Sequence, residues 1–173
     1  MAACATAACT LLAAAALAPP AGAASLSPAK IRALRTSTQL WATIDVCSPS
    51  DQPNTLGVRG SMPGDGRAKD RMFMSFKVQY LDTGKRRWTN LAIDAHAPMV
   101  AVGGGRTARQ DGTSFQISPV AGRPAFTMRG VVQFQWRREG AVLLSLSRAT
   151  TAGRQSLAGA DPVGFSAATC LIG

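Results

Sequence analysis

Clustered cations are the groups in this chain best suited to chemistry. Arg67, Lys69 and Arg71, then Lys85, Arg86 and Arg87, then Arg137 and Arg138, all fall at the ends of alternating apolar segments or in the turns between them. Side chains there stand in solvent and attract polyanions: polymers bearing phosphates or carboxylates, anionic lipid head groups and glycans. With 19 Lys and Arg against 9 Asp and Glu, the formal net charge is +10. Such charge also serves solubility alone, and both uses stand at this point.

Catalytic groups are sparse. His96 is the only histidine, in Asp94-Ala95-His96-Ala97-Pro98. Its enzymatic use requires Asp94, or another aspartate brought in by the fold, beside it as a partner; otherwise it is a solvated loop histidine. A zinc site lacks ligands once both late cysteines are paired. The chain has no Gly-x-Ser-x-Gly elbow, no supported Ser-x-x-Lys and no His-Glu-x-x-His. Its single glutamate, Glu139, stands in a turn signal, so paired carboxylates for glycoside hydrolysis have little support. Asp65-Gly66-Arg67-Ala68-Lys69-Asp70 holds two carboxylates but lacks the acidic spacing and closing glutamate of a calcium-binding hand. Asp51, Asp65, Asp82, Asp111 and Asp161 are read as turn formers, and Gly103-Gly104-Gly105-Arg106 as a flexible loop rather than a phosphate loop. No catalytic residue, metal or cofactor is assigned.

The elements that must carry these cations are strands. Leu40, Ala42, Ile44 and Val46 alternate with Trp41, Thr43, Asp45 and Cys47, and Met72, Met74, Phe76, Val78 and Tyr80 alternate with Arg71, Ser75, Lys77 and Gln79. Further strands are expected at 56–62, at 86–93 as the return of a hairpin through Asp82-Thr83-Gly84, and at 99–102, 114–118, 142–148 and 164–171. Phe126, Met128, Val132, Phe134 and Trp136, with Gly130 in the row, form the strongest run, and Trp136 is expected in the core. Trp41 shares a face with Cys47, so packing against a bridge there is natural. Residues 25–37 form a lead-in whose structure, strand or ordered arm, is left open. No ten-residue helical period occurs anywhere. The expected fold is one all-β domain, 38–173, an antiparallel β-sandwich of about seven to eight strands.

Residues 1–24 are free of charged side chains, with an apolar run at 11–18 and Ala21-Gly22-Ala23 before a cleavage point, as in a secretory signal peptide. The alternative, an uncleaved anchor, is disfavoured because alanine dominates the stretch. Beyond the leader only Cys47 and Cys170 remain. Outside the cytoplasm they are expected to form one disulfide, stabilising by about 4 to 5 kcal/mol on the loop-entropy account; two free thiols are the alternative.

Arg129-Gly130-Val131-Val132-Gln133-Phe134-Gln135-Trp136, followed by Glu139-Gly140 and an aliphatic strand, resembles the closing hairpin of immunoglobulin-like and fibronectin-type-III-like domains over residues 38–150. The Cys, Trp, Cys order of true immunoglobulin domains is absent, since Trp41 precedes Cys47 and Cys170 follows the hairpin. The tail, residues 160–170, is similar to the ending of small uncharacterised secreted proteins of GC-rich bacteria. The resemblance implies a scaffold and no activity. Together these features lead to the expectation of a secreted, non-catalytic binding protein at the bacterial cell envelope. Its partner is an anionic cell-wall polymer or another extracellular protein; nucleic acid is not expected. The competing class is a secreted inhibitor or toxin-like factor acting through the 63–70 or 103–112 segment.

Overall fold

The computed structural model describes residues 25–91, 97–154 and 157–173. The leader 1–24, His96 and Asp94 lie outside these described residues. Among the described residues one helix, α1 (Pro28–Thr36), precedes nine strands: β1 (Trp41–Cys47), β2 (Thr55–Met62), β3 (Arg71–Asp82), β4 (Arg87–Asn90), β5 (Val100–Gly104), β6 (Arg109–Gln116), β7 (Phe126–Arg138), β8 (Ala141–Ala149) and β9 (Cys170–Ile172). The chain is thus mostly β, in antiparallel sheets, with a strand or two more than expected because short segments pair opportunistically along long ones.

Two sheets form, one in the order β1-β2-β6 and one in the order β4-β3-β7-β8. β4 and β5 share one edge of β3, at Gln79 to Asp82 and Arg71 to Met74 respectively. β8 and β9 share the far edge of β7 in the same way. Alternation does what period-2 patterning requires: Met72, Met74, Phe76 and Val78 from β3, and Met128, Val132, Phe134 and Trp136 from β7, are all buried, facing Ile44, Leu56 and Val58 of the other sheet. Glycine sets how closely the sheets approach. A Cβ at Gly130 would stand 2.6 Å from Val58 Cγ1, and one at Gly60 2.9 Å from Val132 Cγ1. The Trp136 indole, fully buried, donates from Nε1 to the Pro63 carbonyl at 3.0 Å, which satisfies its one polar atom.

The lead-in is a helix. Ser27 caps it by accepting the Lys30 N–H at 3.2 Å, Pro28 occupies the first turn, and Leu34 is buried against the core with Ile31 beside it. Nine residues with two such anchors were too few to show a helical period. Residues 150–154 and 157–169 run along the open edge of β1: Thr151 donates to the Ala42 carbonyl, Asp161 to that of Asp45, and Ile44 and Ala167 exchange both backbone hydrogen bonds. Trp41 accordingly packs with Leu157, Ala160 and Phe165, under the Arg154 guanidinium, rather than against the bridge. Asp45, buried beneath the same segment, is neutralised by Arg59 at 2.7 Å. The disulfide joins Cys47 to Cys170 across a separation of 123 residues, and Cys170 sits in β9 beside Met128.

Candidate functional site

β3 and β7 run antiparallel with Arg71 opposite Arg137, so the start of one and the end of the other bring two of the sequence clusters to the same end of the sheet. The loop 63–70 leads into β3 there, and the β5–β6 connection folds onto that loop: Gly66 donates to the Gly105 carbonyl at 2.9 Å and Gly105 to the Asp70 carbonyl at 2.8 Å. The two segments that seemed separate candidates in the sequence are one structural corner. No side chain fits at its centre, because a Cβ on Gly64 would meet the Gly105 carbonyl oxygen at 2.5 Å and one on Gly105 would collide with Asp65 Oδ1.

Within the corner Asp65 and Asp70 are 4% and 1% exposed. Asp65, expected as a turn former, is thus a buried carboxyl beside a second one. Arg138 grips Asp70 with both arms, Nε to Oδ1 at 2.8 Å and Nη2 to Oδ2 at 2.6 Å, a bidentate pair between residues 68 positions apart. Asp65 Oδ1 accepts the Arg67 N–H at 2.9 Å, while its Oδ2 is buried with no donor in the protein. The Arg138 hydrogen bond holds the Asp70 pKa below its ordinary value. Burial, and then the hydrogen bond with Asp70, pushes the Asp65 pKa up. Two carboxyl groups in contact cannot both ionise cheaply, and here the cation is aligned with only one of them. Arg138 places one hydrogen bond on each Asp70 oxygen, which fixes the orientation of that carboxylate.

Cations surround this core. One cavity, of about 250 Å³, is lined by Ser25, Leu26, Ser27, Lys30, Asp65, Arg67 and Arg138; a neighbouring one, of about 400 Å³, by Arg67, Lys69, Asp70, Arg138 and Glu139 among others. Lys30 arrives on the first turn of α1, which carries no acidic residue. The sequence named Arg67, Lys69, Arg71, Arg137 and Arg138, and the fold brings all five to this end. It missed Lys30, whose signal was the Ser27-Pro28 helix start. Not all five are available to a ligand: Arg138 is committed to Asp70, and Arg137 lies over the Phe73 ring at 4.2 Å while donating to Gln135. Lys85 and Arg86 in the β3–β4 turn and Arg87 at the start of β4 stand exposed at the opposite end, with Lys85 paired to Asp82 at 3.5 Å.

That opposite end holds a different feature, an apolar cavity of about 250 Å³ lined by Tyr80, Leu91, Ile117, Val120, Phe126, Met128 and Ile172 among others. Tyr80 and Phe126 meet edge to face across it at 6.1 Å. Among the described residues no group of three or more His, Cys, Asp or Glu is placed to hold a metal ion, and no helix is long and apolar enough to cross a membrane.

No known protein family matches the chain, and no curated protein does. Among solved structures, Pseudomonas fluorescens alkylpurine DNA glycosylase AlkC bound to DNA containing an abasic site analog is 13% identical over 64% of this chain, at a TM-score of 0.30. The likeness covers 28% of that protein's length and is too slight to carry an argument about fold or function.

Proposed function

We propose that the chain is a secreted, non-catalytic binding module of the bacterial cell envelope that holds anionic polymers at its basic end, on an immunoglobulin-like sandwich. One observation carries the reading: Lys30, Arg67 and Lys69 line two adjoining cavities around Arg138, and none of the three has a carboxylate partner among the ion pairs of the described residues. Cations grouped without ion-pair partners of their own create a positive potential that draws phosphate- or carboxylate-bearing chains. The scaffold has support in the strand order, since β1-β2-β6 facing β4-β3-β7-β8 follows the A-B-E against C′-C-F-G arrangement of immunoglobulin-like domains. Secretion has support in the disulfide, which persists in oxidising compartments, and in the leader-like 1–24.

The test is co-sedimentation of the oxidised protein, from residue 24 onward, with isolated bacterial cell walls, at low salt and at about 1 M salt, where the Debye length falls to about 3 Å. The expected result is pelleting that salt abolishes, that R67E/K69E reduces strongly, and that R86E/R87E reduces less. Pelleting indifferent to salt and to both charge reversals would sink the electrostatic reading.

A further inference from the structure

We infer that the cavity between α1 and the 63–70 loop seats the anionic group of the ligand, a phosphate- or sulfate-type oxyanion, and that Asp65 gates it through its proton. The inference rests on the anion-binding reading of this same end of the protein.

The geometry of the carboxyl pair motivates it. Asp65 Oδ2 is buried with no donor, the Asp70 carboxyl is its hydrogen-bonding neighbour, and both Asp70 oxygens already accept from Arg138. A carboxyl pair in contact is relieved by a proton between them, which makes Asp65 the donor and Asp70 the acceptor. The Arg67 N–H holds Asp65 Oδ1, and the space between that oxygen and Gly105 is too narrow for even a methyl group.

Asp65 is also part of the cavity wall, with Lys30 and Arg67. In the protonated state those two cations face the cavity opposed only by Asp70, which Arg138 neutralises. Loss of the proton puts a second negative charge into the wall, one with no ion pair of its own. That charge draws Lys30 and Arg67 to itself and repels an incoming anion.

The charges around Asp65 come from several elements. α1 contributes Lys30, and the loop contributes Arg67, Lys69 and Asp70. β7 and its turn contribute Arg138 and Glu139, the latter lining the neighbouring cavity. From the β5–β6 side come the Gly105 backbone and the exposed Arg106, while Arg109 donates to the Gly104 carbonyl at 3.4 Å. The upward displacement of the Asp65 pKa, caused first by burial, places its titration later than that of ordinary surface carboxylates.

The experiment titrates the oxidised protein with dextran sulfate, whose charge does not change over the range, at about pH 4 and about pH 8. Wild type is expected to bind about tenfold more weakly at the higher pH, over and above any change seen in D65N. His96→Gln, which removes the chain's single histidine, is expected to keep the wild-type profile. Asp65→Ser, which retains a hydroxyl donor toward Asp70, is a second non-titrating variant should D65N fold poorly, and thermal melts establish which variants are native. A pH profile identical in wild type and in the native non-titrating variant overturns the gate while leaving anion binding intact. Absence of binding by folded wild type at both pH values overturns the anion-binding reading itself.

Discussion

At one end of the larger sheet β3 and β7 finish in Arg71, Arg137 and Arg138; at the other they finish in Tyr80, Phe126 and Met128. The two ends are closed by opposite means. At the charged end, closure is directional: a bidentate ion pair, paired carboxyls and backbone hydrogen bonds between glycines define where each atom must be. At the apolar end, closure is by burial, which has no preferred direction, and a cavity is left between Tyr80, Phe126 and Ile172 while the disulfide ties β9 in place. Directional closure can couple shape to a proton or an ion. Non-directional closure supplies stability and tolerates imperfect fit.

The largest expected effect lies at the apolar end. Replacing Cys47 and Cys170 together with serine should cost about 4 to 5 kcal/mol on the loop-entropy account, read from denaturant unfolding of the oxidised wild type against the variant. A loss under about 1 kcal/mol would mean that burial alone holds β9 and that the bridge restrains little. Next comes Ile172→Ala, about 3 kcal/mol, because Ile172 is 1% exposed and its removal enlarges an existing cavity.

The charged end is probed by Gly105→Ala, expected to cost about 2 kcal/mol through overpacking against Asp65 and the Arg67 carbonyl. If alanine were accepted without loss, the close fit of the corner would be refuted. Smaller still, and distinct in kind, is the pH dependence of stability. Asp65, with its folded pKa raised, contributes stability that is full below its unfolded pKa and is lost as pH rises through the folded value. Asp70, with its folded pKa lowered by Arg138, contributes stability present above its unfolded pKa and lost as pH falls through the folded value. The corner should therefore be most stable between the two, and Asp65→Asn should flatten only the alkaline flank of a melting-temperature profile. At the bottom of the scale, Lys85→Gln should leave the melt unchanged, since its partner Asp82 is a surface carboxylate three residues away.

The strands were legible because alternation is a local property. Met72 to Val78 and Phe126 to Trp136 announce a buried face without reference to anything else in the chain, and both faces are buried in the structure. β6 was less visible: over Arg109 to Thr113 it has no apolar alternation, and it is a strand because β2 supplies a backbone partner at every position. The helix α1 was hidden for a related reason, its stability coming from Leu34 docking on the core more than from its own propensity. In the candidate site, the cations Arg67, Lys69 and Arg138 were evident as charge, but their division of labour was not. Nothing local to Asp65 and Asp70 distinguishes a turn former from a buried, coupled carboxyl.

The sequence by itself thus determined the period-2 strands, the turn positions, the excess of positive charge and which two cysteines were available to pair. Only the tertiary structure decided which cations are spent and which are open: it brought Arg138 across 68 positions to Asp70, folded 103–112 onto 63–70, and set Lys30 beside Arg67. The physical reason is range. Alternation and turn chemistry act over a few residues, whereas desolvation and ion pairing depend on distances through space that only a packed chain defines.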